Sequence, residues 1–174
     1  MTEQYFVVQG VFDRILLEKM LPPEFVSKTK FIVGEDHNAA ISKARSILVA
    51  SNRPVYILLN SDTTDPYVAD EKKDYANQML RQVSASDRFK VLLSIPETEI
   101  LLFHDKSVFE SLFSVEVDEQ QWNHAKHEPR RTLSELLDNS DMNYIRGILN
   151  NRLTDDMLGK LRKSEIIQNI ISRN

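Results

Sequence analysis

Cysteine is absent from the 174 residues. Its absence excludes disulfides and thiolate metal sites and is compatible with a reducing cytoplasm. Glycine is scarce, at four residues, and no glycine-rich phosphate loop of the Walker type occurs. No apolar run approaches the length that a bilayer span requires, so no membrane partner is expected. The opening MTEQYFVVQG lacks the basic start and apolar core of a secretory signal, which makes the cytoplasm the expected location. Excess charge is small as well. A formal net charge of -4 argues against a dedicated nucleic-acid coat. Low-complexity segments and internal repeats are missing. A chain of this length can nevertheless bury a real core without staples.

The stretch VYILLNSDTTD, residues 55–65, organises what is present. Its first five residues are continuously apolar, as in a strand buried on both faces of a parallel sheet. It then breaks into polar residues, and ligands in open α/β sheets bind just beyond the carboxyl ends of strands. Residues 5–8, 30–33 and 89–95 read as three further strands. The helix after the first strand carries Phe12, Ile15, Leu16 and Met20 at helical spacing, with Lys19 the lone exception, and Pro22–Pro23 ends it. Ala40, Ala44, Ile47 and Leu48 give the next helix its apolar face, and Asp36 or Asn38 caps it. Asp65–Pro66 starts a third helix, expected to reach about Val83 with Tyr75, Met79, Leu80 and Val83 inward.

Alternation of strand and helix implies a four-stranded parallel sheet flanked by helices. This α/β domain is expected over residues 1–105. Past Pro96, residues 97–103 turn away into a further helix. Residues 106–174 then read as a helical extension packed on the domain, with short helices at 133–137, 144–149, 157–161 and 166–171. Its apolar pairs offer a surface for a homo-oligomer.

Four strand ends project polar residues: Gln9 with Asp13, Glu35 with Asp36, Asn60 with Asp62 and Asp65, and Glu97 with Glu99. Acidic groups gathered at one sheet edge repel unless a cation sits among them, and such oxygen-rich sites suit Mg²⁺ or Mn²⁺. Each residue also has a plainer reading. Asp62 is a metal ligand or a turn residue, and Asp13 a site residue or a first-turn helix acid. Asp65 reads as a helix cap, and Glu99 faces the site or solvent. His124 and His127, beside Trp122, read as a surface helix face. Arg130 and Arg131 touch phosphate or form a solvated pair. Ser61 and Ser94 have no histidine partner in view, so a serine nucleophile is not expected.

The segments VVQGVFD, YILLNSDTTD and SIPETEILLF, in this order and spacing, resemble the TOPRIM domain of topoisomerases, primases and OLD-type nucleases. The resemblance covers residues 5–103. HEPRRTLSELL is similar to a segment in the helical tails of small stand-alone TOPRIM-like proteins. The resemblance implies a Rossmann-like fold, a general acid/base Glu before the first glycine, and paired Asp residues holding Mg²⁺ after the third strand. It also implies a setting in bacterial DNA transactions or phage defence, often beside an ATPase. Gln9 stands where that Glu belongs and Asn60 where the first Asp belongs, while Asp62 matches the second. An amide can touch a metal, but it carries no charge and shuttles no proton. Glu97 and Glu99 match the later Glu that completes the metal site in the nuclease branch.

Three functions follow as expectations. One is a degenerate TOPRIM-like protein that binds nucleic acid or a protein partner, with Mg²⁺ or Mn²⁺ held weakly by Asp62, Glu97, Glu99 and Asp13. The alternative is an active Mg²⁺-dependent nuclease whose metal-bound hydroxide attacks a phosphodiester without a protein base at position 9. The third is a structural subunit with no site.

Overall fold

The apolar run that opens at Val55 is a strand buried on both faces, and the sheet is assembled around it. In the computed structural model, which describes residues 3–138 and 141–172, the chain divides into two compact units, Met1–Ile95 and Pro96–Asn174. The first runs β1 (Gln4–Val8), α1 (Val11–Met20), α2 (Pro23–Val26), β2 (Thr29–Val33), α3 (His37–Ala50), β3 (Val55–Asn60), α4 (Pro66–Arg81) and β4 (Phe89–Ser94). All four strands are parallel, in the order β2-β1-β3-β4. The unit is therefore α/β with a Rossmann-like sheet flanked by helices. The chain winds outward from β1 to β2, then returns across β1 to β3. The order thus reverses between β1 and β3, the place where doubly wound sheets open a crevice at their carboxyl edge.

Alternation along the strands separates two cores. Val7, Ile57, Leu59 and Val91 point to one face, where Ala40, Ala44 and Leu48 of α3 and Ala76 and Leu80 of α4 cover them. Phe6 points to the other face. It is fully buried and stacks on Phe31 and Tyr56 at centroid separations of 5.5 and 5.6 Å, with Phe25 of α2 edge-on to both Phe6 and Tyr56. Burying each such side chain contributes about 1.5–3 kcal/mol. Gly34 sits where β2 hands over to α3. A Cβ there would meet Ala40 atoms at 2.6 Å, so glycine is what lets α3 start this close to the strand.

An expectation in this unit needs correcting. Tyr75 is 49 % exposed rather than inward. The buried stripe of α4 is Ala69, Ala76 and Leu80, and Tyr75 lies one residue, hence about 100°, off it. Pro22–Pro23 does end α1, but Pro23 also opens α2, because a proline is tolerated in the first turn of a helix.

The second unit begins at Pro96, not after residue 105. Its first element is a 3₁₀ turn, Thr98–Phe103, followed by α5 (Lys106–Phe113), α6 (Glu119–Ala125), α7 (Pro129–Leu137), α8 (Met142–Arg152), α9 (Asp155–Leu161) and α10 (Glu165–Ile171). The earlier boundary has a packing cause. Phe103 stacks on Phe109 of α5 at 4.6 Å, and Trp122 of α6 packs on both rings. The 3₁₀ turn therefore shares the core of the helices that follow it. Among the described residues, no helix is long and apolar enough to cross a membrane.

Candidate functional site

The carboxyl edge of the sheet in the first unit gathers Gln9, Asn60 and Asp62. Gln9 follows β1 and Asn60 ends β3, so the two flank the point where the strand order reverses. They touch directly: the Asn60 backbone N–H donates to the Gln9 side-chain oxygen at 2.9 Å. The Gln9 carbonyl thereby ties the two strands together where their ladder ends. Asn60 itself is 3 % exposed. Asp13 is also buried, and its Oδ2 accepts the Gly10 N–H at 2.8 Å, which satisfies an open donor at the start of α1.

Asp62 sits in the left-handed region at φ 54°, a conformation that aspartate tolerates better than most residues. Its carboxylate lies 3.6 Å from the Lys72 ammonium. Lys72 also donates to the Ser61 carbonyl. Its position follows from helix geometry. Residues 69, 72 and 76 share one stripe of α4, and helical side chains lean toward the N-terminus, so Lys72 reaches back over the strand end. Asp65 caps α4 through the Tyr67 and Val68 N–H groups, and Asp36 caps α3 through that of Ala39.

His37, the first residue of α3, senses the same cluster. Burial holds its imidazole below the usual histidine range, and the Lys72 charge pushes it further down, against opposite pulls from Asp62 and Asp36. A base whose folded pKa is depressed stabilises the fold fully only above its unfolded pKa of about 6.5. As pH falls from there through the folded value, the unfolded chain binds the proton first and stability drops. Thermal melts between about pH 7.5 and 5 should therefore show a decline that His37→Gln reduces. An unchanged slope in the variant would remove His37 as its source.

Glu97 and Glu99 belong to the second unit, and one arginine engages both. Arg130 of α7 donates from Nε to Glu99 Oε1 at 2.8 Å, and its Nη1 lies 3.3 Å from Glu97 Oε1. Its backbone N–H donates to Glu97 Oε2 at 3.2 Å. Arg130 is exposed over 56 % of its side chain, but its guanidinium is turned to these two carboxylates. Arg131 pairs separately with Glu128 and Glu135. His124 and His127 are exposed, as expected of a surface face, and His124 Nδ1 lies 3.1 Å from Thr132 Oγ1.

Tested against Mg²⁺, this donor set is compromised as it stands. Asp62, Glu97 and Glu99 each have a cationic partner already, and a hard dication has to displace an ammonium or a guanidinium to reach them. Among the described residues, no three His, Asp or Glu side chains are grouped to hold a metal ion. Lys72 and His37 in the first unit and Arg130 in the second lie outside the set of residues that the sequence points to for metal chemistry. Lys72, expected on the exposed face of α4 with Glu71, Lys73 and Asp74, is part-buried and reaches the strand end instead. The contacts of Arg130 were not legible, because its partners lie 31 and 33 residues away in sequence. No protein-family model matches this chain, and neither a curated protein nor a solved structure does.

Proposed function

We propose that the chain is a TOPRIM-like binding module that recognises nucleic acid rather than cleaving it, acting in the cytoplasm in bacterial DNA transactions or phage defence alongside an ATPase or another protein subunit. The observation that carries this reading is the Gln9–Asn60 bond at the reversal point of the sheet. At the two positions where the resemblance calls for a proton shuttle and a metal ligand, the protein has neutral amides, and the Gln9 side chain clasps the backbone N–H of residue 60. The Lys72 ammonium at the same edge supports a role in phosphate recognition, and contacts to phosphate make binding salt-dependent and largely independent of sequence. Any Mg²⁺ or Mn²⁺ binds weakly, for the reasons of donor charge given above.

Fluorescence anisotropy with labelled single- and double-stranded DNA and RNA tests the reading. Binding should persist in chelator and weaken with salt, and plasmid should stay intact in Mg²⁺ or Mn²⁺. Lys72→Ala should weaken binding. Failure to bind any nucleic acid would shift the reading to a protein partner. The alternative, an active metal-dependent nuclease, is favoured by the half-exposed Asp62 carboxylate. Plasmid cleavage with Mn²⁺ that Asp62→Ala abolishes would establish it.

A further inference from the structure

The Glu97–Glu99 pair carries its own cation. The Glu99 side chain is 5 % exposed, and a carboxylate so deeply placed persists only where positive charge and hydrogen bonds compensate for lost water. Arg130 supplies that compensation incompletely. Its Nε reaches Glu99 Oε1, whereas Glu99 Oε2 is buried without a hydrogen bond. Glu97 holds the guanidinium with one oxygen and the first turn of α7 with the other. The result is a buried carboxylate with one oxygen in use and one bare, beside a second carboxylate that faces the same positive group. A compact dication can take both oxygens of a carboxylate, which a single guanidinium N–H cannot.

We propose that Arg130 is a built-in cation standing in place of a divalent metal ion at Glu97 and Glu99, and that the pair becomes a Mg²⁺/Mn²⁺-class site once the guanidinium is removed. With Arg130 present the site is closed, because the incoming dication is repelled by the guanidinium and must break its bonds to both carboxylates. Without Arg130, the buried Glu99 has lost its cationic partner, and a dication from solution competes with a proton to replace it.

Titration calorimetry with Mn²⁺ on the full chain, together with the electron paramagnetic resonance of bound Mn²⁺, tests this. Arg130→Met keeps most of the aliphatic stem and deletes the charge. It should bind Mn²⁺ at least about tenfold more tightly than wild type, equivalent to about 1.4 kcal/mol. Adding Glu99→Gln should abolish the gain. Arg130→Lys keeps one positive charge but not the planar fork that reaches both carboxylates, so its affinity should lie between the two. A folded R130M that binds Mn²⁺ as wild type does overturns the proposal, as does a gain that survives E99Q. If R130M does not fold, R130K decides: affinity no tighter than wild type overturns the proposal in the same way.

Discussion

Ending the chain at Lys163 should cause the largest loss of stability of any change considered for this protein. The deletion removes α10, whose seven residues are too few to hold a helix in water without packing. Ile167 and Ile170 anchor it at 0 % and 1 % exposure. Losing two such side chains costs about 3–6 kcal/mol, at about 1.5–3 kcal/mol each. At about 2–4 °C per kcal/mol for a chain of this size, the melting transition of the second unit should fall by roughly 6–24 °C. Differential scanning calorimetry reads this directly. Because the first unit has its own core, its transition should move less, and two separated transitions in the variant would reveal that difference. A transition unchanged by the deletion contradicts the packing assigned to Ile167 and Ile170. The other two isoleucines differ. Ile166 is part-buried and Ile171 is 36 % exposed, so a homo-oligomer through the C-terminal helices has little apolar surface to use on α10.

How far the fold was legible depends on where its information lies along the chain. The four strands were readable because each is a short apolar run closed by a turn residue or by a break to polar side chains, and parallel pairing follows from the helices between them. Their ends matched within a residue at Val8, Val33, Asn60 and Ser94. The second unit was harder. Its four later helices show as apolar pairs, but α5 was missed although VFESLF carries Val108, Phe109, Leu112 and Phe113 on one face behind the Asp105 cap. That run is short and aromatic, so strand and helix periodicities cannot be told apart on its length alone.

The candidate site divides in the same way. The sequence places Gln9, Asn60, Asp62 and Glu99 at one edge because strand ends are local features; the structure sets the first three at the carboxyl edge of the first unit, while Glu99 belongs to the second. What occupies their side chains is not local. The Gln9–Asn60 bond spans 51 residues, and the Arg130 contacts to Glu97 and Glu99 join a loop to a helix beyond two intervening helices. A sequence shows that carboxylates gather, but not which cation answers them. Here the answers are internal, from Lys72 and Arg130. Asp13 shows the converse: its buried carboxylate accepts from the backbone at the start of α1, a role its place in the first turn already suggested.

Restoring both departures from the TOPRIM pattern, with Gln9→Glu and Asn60→Asp together, should exchange stability for metal affinity. A Glu at position 9 can accept the N–H of residue 60 as Gln9 does, so the clasp survives in geometry. The charge is what changes. Position 60 is almost wholly buried, and the same unit already buries Asp13 beside Gly10. Two like charges about 4 Å apart cost on the order of 4 kcal/mol at an effective dielectric of 20. Lys72 offsets part of this, since it already holds Asp62. In chelator the double variant should therefore melt well below wild type. Mn²⁺ relieves the repulsion by binding the native state alone, and at a hundredfold excess over its dissociation constant it should return about 2.7 kcal/mol. Wild type should show almost no thermal shift over the same titration. Each single variant should fall between, because one added carboxylate lacks the repulsion of the new pair and supplies half the new donor set. Plasmid cleavage by the double variant alone would mean that the rest of a nuclease site survives around a clasp that now holds a metal. Equal and tight Mn²⁺ binding by both proteins gives the opposite result. The carboxylates already present would then form a competent site despite Lys72 and Arg130, and the metal-dependent nuclease would become the leading reading.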